Sequence, residues 1–124
     1  YQPRMVVLYA GDNDLAAGKT PQQVFEAYQA FVSRVRAKLP KAKIAYISIK
    51  PSLARVKLME QMRTANELIR GYASKNKNLV FIDVFTPMLN AEGQPRPELF
   101  IEDGLHMTRA GYDIWRKAVA PTLR

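Results

Sequence analysis

The chain has 124 residues, 48% of them hydrophobic, enough for one domain spanning 1–124 with its own core. No run of about 20 apolar residues is present to make a transmembrane helix, and the absence of cysteine excludes disulfides and thiolate metal sites. The net charge of +8 is dispersed, with only Arg34, Arg36, Lys38, Lys41 and Lys43 gathered, and no basic run is interleaved with aromatics. A solvated basic surface is therefore expected, not a nucleic-acid site.

Arg4 to Ala10 reads as the first strand, apolar on both faces, as a parallel strand covered on two sides would be. Gly11-Asp12-Asn13-Asp14 follows as a polar turn, and Leu15 to Lys19 as a surface loop. Thr20-Pro21-Gln22-Gln23 is a helix start: Thr20 can cap, Pro21 suits the first helical position and Gln23 can close a capping box. Val24, Tyr28, Phe31, Val32, Val35 and Leu39 then form one apolar face, and Pro40 ends the helix.

Lys43 to Ile49 is the second strand. Lys50-Pro51-Ser52 after it faces the carboxyl-end crevice, where Lys50, Ser52 and Arg55 could line a substrate site. Ser52 lacks the glycine-rich elbow of a nucleophile and reads as a turn or helix-cap serine. Ala54 to Lys75 is the second long helix, with Leu58, Met62, Ala65, Ile69 and Tyr72 as its buried stripe. Leu79 to Val84 is the third strand, with Asp83 near its end in a structural hydrogen-bonding role. Phe85 to Ile101 is a long loop, a length often tied to function; Leu99 and Phe100 should anchor it inward. Thr108 should cap a last helix carrying Tyr112, Trp115, Val119 and Leu123 on its inner side, with Gly111 allowing close approach to the sheet.

Strand, helix, strand, helix, strand, loop, helix is an α/β layout with a parallel sheet. Two polar stretches stand out: Gly11 to Asp14 just beyond the first strand's carboxyl end, where ligand sites of such sheets lie, and Asp103 to His106 before the last helix. Asp103-Gly104-Leu105-His106 holds the only histidine. A turn at Gly104 can set Asp103 against one ring nitrogen and leave the other as an acceptor, which a general base requires. Asp before Gly is also ordinary turn chemistry. Asn13 could donate to a developing oxyanion, or could simply cap backbone groups with Asp14.

Together the two stretches resemble the SGNH hydrolases, also called GDSL-like esterases. Gly11-Asp12-Asn13-Asp14 matches the family's Gly-x-Asn-Asp motif after a central strand, and Asp103-Gly104-Leu105-His106 its Asp-x-x-His motif before the last helix. The resemblance covers essentially the whole chain. It implies a three-layer α/β/α sandwich of flavodoxin-like order and an ester hydrolase with no metal or organic cofactor. It assigns His106 as base, Asp103 as its orienting partner and Asn13 as oxyanion donor, with Gly11 and Asp14 supporting the turn.

The family's nucleophilic serine lies in a Gly-Asp-Ser-like motif after the first of five strands, and an oxyanion glycine follows in a second motif. Neither is present ahead of Arg4. The chain is expected to be the C-terminal part of a longer protein, inactive alone, with its nucleophile elsewhere. The Arg4 to Ala10 strand would then be an exposed edge, covered by the absent N-terminal segment, a symmetry mate or a swapped protomer. The rival expectation is a non-catalytic α/β module that binds an anionic ligand or acidic partner.

Overall fold

Three short apolar runs pair into one parallel sheet. The computed structural model describes residues 5–123, the side chain of Leu123 excepted. Strand β1 is Met5–Tyr9, β2 is Lys43–Ile47 and β3 is Leu79–Ile82, in the order β1-β2-β3. Met5 sits opposite Lys43 and Tyr9 opposite Ile47, while Ile44 sits opposite Leu79 and Ile47 opposite Ile82. Arg4, expected in β1, and the Leu123 side chain, expected on the last helix's inner side, lie outside the described residues.

The period-two alternation of β2 builds two cores. Ile44 and Tyr46 face one layer, in which helices α2 (Pro21–Lys38) and α3 (Met59–Lys75) contribute Val24, Tyr28, Val32, Met62, Ala65 and Ile69. Ala45 and Ile47 face the other, with Ile82 and Val84, where helix α4 (Arg109–Val119) adds Trp115, Ala118 and Val119. The result is a three-layer α/β/α sandwich. Helix α2 starts as its sequence demands: Thr20 Oγ1 accepts from Gln23 N at 3.1 Å, and Gln23 Oε1 accepts from Thr20 N at 2.9 Å.

Several boundaries differ from the sequence reading, each for a visible reason. Strands β2 and β3 stop two residues early because side chains take over from the ladder. Asn66, buried on α3, accepts from Ile49 N at 2.9 Å and donates to Ile49 O at 3.2 Å. Ser48 Oγ accepts from Val84 N and Phe85 N. The second long helix begins at Met59, not Ala54. Ala54 N donates to Gly104 O at 2.9 Å, which holds the chain off the helical path until a 3-10 turn at Val56–Leu58 leads into α3. The segment after Gly11 coils into a short helix α1 (Asp12–Ala16), because Leu15 is drawn into the core and is 2% exposed.

The long segment before α4 is not structureless. It folds into 3-10 turns at Thr86–Met88 and Pro97–Leu99, with isolated bridges pairing Leu89 with Pro95 and Phe100 with Met107. Leu99 and Phe100 are buried, as expected. Asp83 Oδ1 accepts from Phe85 N and Thr86 N, so it holds the start of this segment.

Thr108 occupies the N-cap position of α4 but does not cap with its side chain; its hydroxyl donates to Glu98 O at 2.9 Å instead. Tyr112 faces solvent, so the inner face of α4 runs through Ile114, Trp115, Ala118 and Val119. Gly111 makes its close approach to the loop and not to the sheet. A Cβ there would stand 2.9 Å from both Leu99 O and Met107 Cβ.

Gly111→Ala should therefore force α4 off the loop and cost about 1–3 kcal/mol. A thermal melt checks this; an unchanged Tm would mean that the loop yields freely.

Candidate active site

The carboxyl ends of β1 and β2 and the loop 101–107 come together through backbone bonds and one ion-pair cluster. The loop is tightly turned. Gly104 N donates to Ile101 O and Ile101 N donates to His106 O, each at 2.9 Å. Gly104 has φ of +68°, a conformation that costs other residues roughly 1–2 kcal/mol, and an added Cβ would lie 3.1 Å from Ala54 N and Leu53 Cβ. Glycine is what lets this turn lie flat on the segment at 53–54.

Asp103 organises the turn and the histidine at once. Its Oδ1 accepts from Leu105 N and His106 N, both at 2.9 Å, and its Oδ2 meets His106 Nδ1 at 2.5 Å. The His106 contact foremost, then the two amides, hold the Asp103 carboxyl down at about 2. An ionised carboxylate only accepts, so Nδ1 carries the proton and donates. Nε2 is left as a free acceptor on a ring whose side chain is 70% exposed. Among the described residues no hydroxyl hydrogen-bonds this ring.

The other half of the site is the turn after β1. Gly11 is buried in a left-handed conformation at the N-cap of α1, and Asn13 lies exposed on that helix. Asp12 points inward, its side chain 10% exposed, and carries the two nearest cations. Arg55 NH1 donates to Asp12 Oδ1 at 2.8 Å, and Lys50 Nζ stands 3.8 Å from Asp12 Oδ2. Arg55 NH1 also donates to Asn13 Oδ1 at 3.1 Å. Lys50 Nζ donates to Leu105 O at 3.0 Å, the carbonyl just before His106. The chain Asn13, Arg55, Asp12, Lys50, Leu105 thus joins the two polar turns without a break. Burial pushes the Lys50 ammonium below the ordinary lysine range, and Asp12 works against that shift.

The remaining expected residues are placed as follows. Lys50 is 9% exposed, with its charged end bonded to protein. Ser52 is fully buried and its Oγ has no partner among the described residues. Asp14 is half-buried and pairs with Lys19 at 3.9 Å, away from the cluster. No three His, Asp or Glu side chains converge as a metal site among the described residues.

Three structural residues escaped the sequence reading. Asn66 could have been noticed as a polar residue four places after Met62, inside an apolar stripe. Ser48 interrupts an otherwise apolar strand. Asp12 gave no local signal, because its partners lie 38 and 43 residues away.

The Asp103–His106 pair thus lies beside the Gly11–Asp14 turn, joined to it through Lys50, Asp12 and Arg55. The chain is a member of the GDSL-like lipase/acylhydrolase family, whose profile matches residues 1–114. Solved structures with the same fold include a GDSL-like lipase from Bacteroides thetaiotaomicron, 26% identical with a TM-score of 0.78. The alignment covers 98% of this chain and 62% of that one. A carbohydrate esterase family 3 protein from Talaromyces cellulolyticus is 20% identical, TM-score 0.81, with 98% of this chain and 57% of that one covered. A family 3 carbohydrate esterase from Clostridium thermocellum is 18% identical, TM-score 0.71, with 98% and 58% covered. The chain thus spans about three-fifths of the length of these structures. No curated protein matches the sequence.

Two measurements probe the cluster. Because the folded Asp103 pKa of about 2 lies below its ordinary 3.8, its contribution to stability is present above pH 3.8 and lost as pH falls through about 2. Carboxyl carbon shifts should show the low midpoint, and His106→Ala should move it up, though not fully, since the two amide donors remain. Asp12→Asn should leave Lys50 and Arg55 without their buried counter-charge and cost about 3 kcal/mol in a urea titration. A loss under about 1 kcal/mol would mean that the cluster behaves as a solvated surface pair.

Proposed function

We propose that this chain is the base-bearing part of an ester hydrolase that works by acyl transfer through a serine held on a flanking segment. The observation that carries the reading is the Asp103–His106 pair, with Nδ1 engaged and Nε2 open. In the proposed reaction the serine oxygen attacks the ester carbonyl while His106 Nε2 takes its proton. The imidazolium is steadied by Asp103 and returns the proton to the departing alkoxide. Water then attacks the acyl-serine by the same route, and the carboxylic acid leaves. Asn13 donates to the oxyanion of each tetrahedral intermediate. These steps need no cofactor.

The edge of the sheet supports a docking place for the flanking segment. Among the described residues strand β1 pairs on one side only, and Val7 and Tyr9 are 44% and 36% exposed. Beside it lies a cavity of about 190 Å³ bordered by Leu8, Ala10, Val24, Tyr28 and Tyr46. The buried Tyr28 hydroxyl and Trp115 Nε1 have no partners among the described residues. A segment or a swapped protomer that adds strands here would cover apolar surface and bring the serine toward His106. Substrates would be small-molecule, lipid or carbohydrate esters. Among the described residues no helix is long and apolar enough to cross a membrane. The rival reading, a module binding an anionic partner, has the net charge of +8 behind it.

Turnover of a p-nitrophenyl ester by the intact gene product tests the proposal. His106→Ala should abolish activity, and near-normal turnover would remove His106 as base. Asn13→Ala should lower kcat about 100-fold to 1000-fold with little change in KM. Salt-sensitive binding of an acidic partner that survives loss of both His106 and Asp103, without any ester hydrolysis, would favour the rival.

A further inference from the structure

An asparagine side chain has two faces that look alike in shape and oppose one another in chemistry. Its oxygen accepts and its amino group donates, and a half-turn of the terminal torsion exchanges them. Only one of the two orientations of Asn13 can donate to an oxyanion. On an exposed five-residue helix nothing local selects it.

Arg55 makes the selection. A guanidinium has donors and no acceptor, and its NH1 lies 3.1 Å from the Asn13 amide atom that faces it. That atom must be oxygen; an amino group there would set two donors against each other. The same NH1 is fixed at 2.8 Å by Asp12 Oδ1, and the Arg55 side chain is only 20% exposed. Arg55 therefore cannot turn away to accommodate a flipped amide without leaving its carboxylate. Asp12 in turn faces Lys50, which grips the carbonyl before His106.

We propose that Arg55 is a positioning residue for ester hydrolysis. It turns the Asn13 amino group outward as the oxyanion donor, and through Asp12 and Lys50 it keeps that donor in register with the His106 loop. The proposal rests on the esterase reading above. It assigns Arg55 to the orientation of Asn13, not to contact with the substrate.

The test is a double-mutant cycle on the intact gene product, with kcat and KM for p-nitrophenyl acetate, alongside the side-chain amide signals of Asn13 in nitrogen-edited NMR spectra. Arg55→Met should lower kcat about tenfold with KM within about twofold, because the donor is lost and the binding surface is kept. In an Asn13→Ala background the same change should cost less than about threefold. The NMR spectra should show a restrained Asn13 amide in the wild type and an averaged one in Arg55→Met. Arg55→Lys, which keeps the charge but not the two-way grip, should fall between, and it serves if the methionine variant does not fold. Equal losses in the presence and absence of Asn13, or an Asn13 amide equally ordered in both arginine variants, would overturn the proposal. If the wild type hydrolyses no ester but its Asn13 amide still depends on Arg55, the esterase reading fails and the orienting role stands alone.

Discussion

Asp12 is a buried carboxylate shared by the buried Lys50 and the partly buried Arg55, and it links the two polar turns of the structure. Burying the Lys50 ammonium just past β2 needs such a counter-charge, since an uncompensated charge out of water is costly. Given Asp12, the chain after β2 can bring Lys50, Pro51 and Ser52 into the interior and still emerge at Arg55 to meet α1. The same carboxylate sets the distance between two turns that belong to different strands. A polar tie between the turn after β1 and the loop before α4 runs from Asp12 through Lys50 to a main-chain carbonyl.

The apolar framework follows a simpler rule. Alternation along β2 divides the interior into two layers, and the helix stripes supply the matching surfaces. This is why the fold could be read from periodicity: apolar residues announce their faces one element at a time. The strand ends could not be read in the same way. At Ile49 and at Val84 the backbone partner is a side chain, Asn66 in one case and Ser48 in the other, and such substitutions leave no period. The start of α3 was hidden for a related reason, since the bond that delays it comes from Gly104, 50 residues further on.

The site was legible to the extent that its chemistry is local. Asp103 and His106 are three residues apart, and a glycine between them permits the turn that joins them. Their pairing is therefore written in a tetrapeptide. Asn13 could be placed by the strand before it, but its orientation could not, because that depends on Arg55 from another segment. Lys50 was expected to line the crevice; the bond it makes, to a carbonyl 55 residues away, was beyond the reach of any pattern.

Besides the buried Met107 side chain, the loop that carries His106 is held by a set of contacts to main-chain atoms. Asp103 takes the amides at 105 and 106, Lys50 takes the carbonyl at 105, Ala54 takes the carbonyl at 104, and Ile101 the carbonyl at 106. A peptide group presents the same atoms whatever residue bears it. The identity of Leu105 is thus free to drift so long as the backbone keeps its path, whereas Asp103, Gly104 and His106 are each bound to one residue type. Substitution at 105 can therefore change the surface beside His106 while the Asp103–His106 pair keeps its geometry.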